Sequence, residues 1–274
     1  MTATLHDDRA STLLRNRIPE VTVVFWIIKI LTTTTGETAA DYLNGTLGLG
    51  LSTTSLIMTG LLAIALVGQF LTKRYVPAMY WTVVVLISIV GTLLTDNLTD
   101  GLGFPLWAST SVFVVLLGGT FAIWYAREKT LSIHTVFTRR REAFYWVAIL
   151  FTFSLGTAAG DLLSEALGLG YVVSTILFAA LIAAVAVAWK FGLNAVTAFW
   201  VAYILTRPLG ASVGDLLSQP VADGGLGLGT TVTSVVFLIV IVALVGYLTW
   251  RIGRDRFSVA PRATGSDRSL PDPA

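Results

Sequence analysis

Apolar runs of about twenty residues, the length that spans a bilayer, alternate with short polar or glycine-rich breaks from residue 21 to residue 250. They predict eight helices, near 21–43, 51–72, 77–99, 106–126, 143–165, 171–190, 194–218 and 229–250. A polar segment, 1–20, precedes them, and a polar tail, 251–274, follows and is expected to be disordered and cytoplasmic. A charged connector at 127–142 divides the runs into two halves, 21–126 and 143–250.

The runs fall into a repeating register. An aromatic residue (Phe25, Tyr80, Tyr145, Phe199) precedes a tryptophan (Trp26, Trp81, Trp146, Trp200). Ten residues after each tryptophan stands a glycine (Gly36, Gly91, Gly156, Gly210), and fifteen after it an aspartate (Asp41, Asp96, Asp161, Asp215). A Gly-Leu-Gly follows in every copy, at 48–50, 101–103, 168–170 and 227–229. The tryptophans are 55, 65 and 54 residues apart, so the four copies pair on either side of the connector. Each copy holds two apolar runs, so all four are expected to point the same way through the membrane as parallel repeats.

Charge fixes an orientation. Lys and Arg flank one set of helix ends: Arg9, Arg15, Arg17, Lys73, Arg74, Arg127, Lys129, Arg139–Arg141, Lys190 and Arg251 onward. By the positive-inside rule that side, with both termini, is cytoplasmic. The other side receives Glu37, Asp41, Asp96, Asp100, Asp161, Glu165, Asp215 and Asp223. The fold class expected is an all-α polytopic membrane protein of eight transmembrane helices, arranged as four parallel two-helix repeats.

With 12% charged residues, the chain carries about half the charge of a typical soluble domain. It has no cysteine, and its two histidines, His6 and His134, lie outside the apolar runs. Thiolate chemistry is excluded, neither haem nor a histidine-rich zinc site is expected, and no nucleophile and base stand in a catalytic pattern, so neither an enzyme nor a resident cofactor is expected. The basic residues follow the membrane boundary, which argues against a nucleic-acid partner. The expected partners are the bilayer and a small transported ion or solute, and oligomeric state stays open.

The four units with Trp26, Trp81, Trp146 and Trp200 resemble a family of bacterial integral membrane proteins defined by four tandem repeats of unknown function, each with two transmembrane segments and a characteristic tryptophan. The resemblance covers about residues 21–250 and implies this architecture and a bacterial inner-membrane location. It carries no activity and no site residues.

On a helix the glycine stands about 15 Å, and the aspartate about 22 Å, along from the tryptophan. Four carboxylates at one depth suggest a ring of oxygen ligands for a cation, with Glu37 and Glu165 auxiliary. The alternative is that each Asp caps a short helix at the outer boundary. The glycines suit close helix packing or a thinned pore wall, and the tryptophans suit interfacial anchoring or packing. Lys29, three residues after Trp26, is expected to snorkel to the cytoplasmic surface. Arg207 falls near mid-membrane beside Pro208 and needs a partner, for which Glu37 is nearest in depth; a gating or coupling role follows. The function expected is a transporter for a divalent metal, Mn²⁺ or Mg²⁺. A proton-coupled carrier of a small polar or cationic organic solute and a membrane scaffold are the alternatives.

Overall fold

The computed structural model describes residues 16–259, with side chains to residue 254. Eight α-helices appear among the described residues, and no strand. They are α1 (Val23–Asp41), α2 (Leu51–Leu71), α3 (Pro77–Asp96), α4 (Leu106–Glu128), α5 (Arg139–Asp161), α6 (Gly170–Lys190), α7 (Ala195–Ser218) and α8 (Thr230–Val259). Seven are long and apolar enough to cross a membrane. The exception is α1, which carries Lys29, Glu37 and the run Thr32–Thr35.

Local chemistry sets the helix ends. Thr22 caps α1 by accepting from the Phe25 N–H, Thr138 caps α5 through Arg141, and Asn194 caps α7. Pro77 opens α3, where its missing N–H costs nothing. In the Gly-Leu-Gly breaks, Gly48, Gly50, Gly168, Gly170, Gly227 and Gly229 all have positive φ, a conformation that residues with a Cβ resist. Two boundaries differ from expectation: α8 runs to Val259 rather than ending near 250, and α4 and α5 absorb both ends of the connector. The remainder of the tail, 260–274, and the basic residues Arg9 and Arg15 lie outside the described residues.

The first helices of the repeats, α1, α3, α5 and α7, close a ring in which each touches the next and α7 returns to α1. The second helices pack outside, and not mainly against their own partners. Helix α2 seats on α3, α4 on α5, α6 on α7, and α8 comes back to α1. A repeat is thus a hairpin in sequence, but its main packing partner is the following repeat.

Ring closure is visible side chain by side chain. Each aromatic before a tryptophan meets the tryptophan of the next repeat: Phe25 to Trp81 at 5.6 Å, Tyr80 to Trp146 at 5.4 Å, Tyr145 to Trp200 at 6.2 Å, and Phe199 back to Trp26 at 5.8 Å. The glycines obey the same rotation. A Cβ on Gly36 would strike Ser88, one on Gly91 Phe153, one on Gly156 Arg207, and one on Gly210 Thr33, every approach under 3 Å. Small residues let helix backbones close to this distance.

Polarity is inverted relative to a soluble bundle. The outer helices expose Leu56, Ile64, Val115, Ile123, Ile176, Ile239 and Val242, while the ring interior holds Lys29, Thr32, Thr33, Glu37, Thr92, Thr157 and Arg207. An apolar surface around a polar centre is stable only where the surroundings are themselves apolar.

Candidate functional site

Fixed offsets from the tryptophan generate layers across the ring. Seven residues on stand Thr33, Ser88, Phe153 and Arg207; eleven on stand Glu37, Thr92, Thr157 and Ala211. Arg207 is fully buried, and its guanidinium reaches every other repeat. Nη2 lies 2.8 Å from Glu37 Oε2, donates to Thr157 Oγ1 at 2.6 Å, and also donates to Thr92 Oγ1. Nη1 donates to the Thr33 carbonyl at 3.3 Å. Thr92 Oγ1 in turn donates to Glu37 Oε2 at 3.2 Å. The pairing of Arg207 with Glu37 expected from register is present, and the two threonines complete its shell.

The sequence allows this concentration of polarity because α1 is walled by α3, α7 and α8. Its threonines satisfy their own hydroxyls: Thr32 donates to the Lys29 carbonyl at 2.9 Å and Thr35 to that of Leu31 at 2.9 Å.

Lys29 corrects an expectation. It does not snorkel: the residue is fully buried, and Nζ has no hydrogen-bond partner. It lies over the Phe153 ring at 3.7 Å and the Tyr203 ring at 4.2 Å. Snorkelling needs an open helix flank, and the tight ring leaves none.

The aspartates stand one layer further toward the acidic end. Asp41, Asp96 and Asp161 are half-buried and Asp215 is 6% exposed. They are near enough to feel one another's charge and that of Glu37. The capping alternative does not hold. In repeats 1 to 3 the helix runs straight through the Asp into a π-helical turn, at Tyr42–Thr46, Asn97–Gly101 and Leu162–Ala166, and no Asp side chain makes a cap hydrogen bond. In repeat 4, Asp215 lies inside α7. Among the described residues, no group of three or more Asp, Glu or His side chains is arranged to hold a metal ion. Glu165 is exposed and accepts from Tyr171 Oη at 3.4 Å.

The tryptophans stand inside the protein more than at its rim. Trp81, Trp146 and Trp200 are buried and Trp26 is half-buried. Trp200 Nε1 donates to the Leu131 carbonyl at 2.9 Å and Trp81 Nε1 to Tyr75 Oη at 3.1 Å. With Tyr80 and Tyr145, whose hydroxyls meet at 2.6 Å, they form an aromatic layer toward the basic end.

Above that layer lies a clasp that sequence reading missed. Buried Glu142 of α5 receives Arg17 Nη1 at 2.5 Å and Gln69 Nε2 at 2.9 Å, while Asn16 Nδ2 donates to the Ile133 carbonyl at 3.3 Å. A cleft of about 720 Å³ opens at the same end, lined by Trp26, Leu131, Trp189 and Phe199. It is apolar and separate from the Arg207 cluster. The aromatic layer and the clasp thus lie toward the basic end of the bundle, and the carboxylates toward the other.

Four copies of one repeat model match the chain, over residues 24–75, 79–130, 144–192 and 198–253, under the description Repeat of Unknown Function (DUF347). The chain belongs to this family. The matched segments coincide with the four units that build the ring, so the DUF347 repeat is one inner and one outer helix. No curated protein and no solved structure matches the chain.

Proposed function

We propose that the chain crosses a bacterial inner membrane eight times, with the basic end and both termini in the cytoplasm. Within that frame we read it as a proton-coupled carrier that moves a small polar solute along the ring axis. The observation that carries this reading is the Arg207–Glu37 pair, held at the centre of the ring by hydroxyls from two further repeats. Ionisable groups at such depth are costly in a bilayer and mark pathways and relays.

The coupling follows from the chemistry of the pair. While Glu37 is ionised it holds Arg207 across the ring and the axis is closed. A proton on Glu37 removes the charge that holds the guanidinium, and the remaining neutral acceptors, the Thr92 and Thr157 hydroxyls and the Thr33 carbonyl, do not compensate for a buried cation. Arg207 then turns to a solute. The half-buried aspartates supply a route for protons from the acidic face to Glu37.

The divalent-metal reading has less support, because the four Asp side chains do not form a ligand set among the described residues. Two basic side chains, Lys29 and Arg207, are also buried in the ring interior, where they disfavour a cation.

The test is solute-driven proton movement in proteoliposomes with an entrapped pH dye, over a panel of organic acids, amines and zwitterions. A carrier gives flux with some members of the panel, lost in Glu37→Gln. Flux with none of them, from protein that is folded and inserted, contradicts the reading and favours a scaffold.

A further inference from the structure

The centre of the ring holds an imbalance of donors. Lys29 and Arg207 are both fully buried, and both lie against the same aromatic ring: Lys29 Nζ is 3.7 Å, and Arg207 Cζ 5.4 Å, from the Phe153 centroid. The one carboxylate paired with either is Glu37, already engaged by Arg207 Nη2. Lys29 Nζ has no acceptor, Arg207 Nε has none, and the hydroxyl of Ser88, in the same layer as Arg207, has none. An ammonium offers three N–H donors. Two buried basic side chains against one carboxylate, with unmet donors from three different repeats, describe a place that lacks an acceptor.

Buried charge without a partner is expensive in a low-dielectric interior. A cationic ligand would aggravate the imbalance. Water would fill donors but leave the charge. A small anion answers both, and the lysine tail is flexible enough to swing onto it. We propose that Lys29 and Arg207 bind a small monovalent anion, a halide or a carboxylate group, at the centre of the ring. The assignment of this anion as the transported solute rests on the carrier reading, whereas the binding itself does not.

The experiment measures thermal unfolding of the purified full chain in detergent against chloride, nitrate and acetate, at constant ionic strength made up with sulfate. Choline replaces potassium in a parallel series to remove cation effects. The expected result is a saturable rise of the melting midpoint with at least one monovalent anion, unchanged by the choice of cation. Lys29→Met weakens the apparent affinity about tenfold or more, the loss of one charge-assisted contact, while Lys29→Arg retains it. Should Lys29→Met not fold, Ser88→Ala removes a hydroxyl that has no partner to lose, and a several-fold weaker affinity is expected.

The absence of any saturable anion effect overturns the site. So does an effect that is identical in the folded Lys29→Met or Ser88→Ala protein. Anion binding without solute-driven proton flux would leave the site standing and sink the carrier, and flux with amines alone and no anion effect would do the reverse.

Discussion

Arg207 of the fourth repeat and Glu37 of the first meet at 2.8 Å, with neither residue more than 6% exposed. The contact joins the two ends of the chain's repeat array across the closure of the ring. Breaking a buried pair from one side strands the other charge at a cost of about 3–5 kcal/mol. Glu37→Leu is therefore expected to lower stability by that amount in detergent unfolding, and Arg207→Met in the same molecule to recover part of it. Additive losses in the double mutant would show that the pair is not coupled.

Asp161→Asn is expected to leave stability nearly unchanged. Among the described residues none of the four repeat aspartates is in an ion pair, and Asp161 makes no cap bond. With no partner to lose and the isosteric amide in its place, the change is expected to stay within about 0.5 kcal/mol, as for surface substitutions. The same unfolding assay checks the contrast with Glu37→Leu, and an equal loss for both would contradict it.

Gly91→Ala sets a methyl 2.6 Å from Phe153 Cβ, whereas a Cβ at Gly118 meets nothing within 4 Å. Overpacking costs about 1–3 kcal/mol, so Gly91→Ala is expected to destabilise by at least that range and Gly118→Ala to be neutral or slightly stabilising. The comparison reads the ring contact directly, since both glycines lie in helices. A neutral Gly91→Ala would mean that α3 and α5 are further apart.

Orientation is open to a direct check because the chain has no cysteine of its own. Single cysteines at Lys129 and at Asp223 are expected to react with an impermeant maleimide from opposite faces, the first from the cytoplasm. Reaction of both from one face would overturn the eight-span topology.

Much of this architecture was legible from the tryptophan register. The offsets at ten and fifteen residues located the four glycines and aspartates, and the position of Arg207 anticipated Glu37 as its partner. Three departures have physical causes. The distance of Lys29 from Trp26 suggests an interface, but the equivalent positions, Val84, Ile149 and Tyr203, are apolar or aromatic and fully buried. That comparison was the available signal. The clasp of Arg17, Gln69 and Glu142 carried none, since three residues distant in sequence meet only after the helices have packed. The capping alternative for the aspartates failed because helix continues past them in all four repeats, which the following Gly-Leu-Gly had concealed.

The central claim is that the Arg207–Glu37 pair closes the axis, and accessibility tests it most directly. Ala211 is fully buried and shares the layer of Glu37, Thr92 and Thr157. With a single cysteine there, an impermeant maleimide applied to the acidic face is expected to react slowly while the pair is intact and many times faster in Glu37→Gln. If that cysteine stays equally protected in Glu37→Gln while a cysteine at Asp223 reacts fully, the pair is not a gate and the axis is not a path.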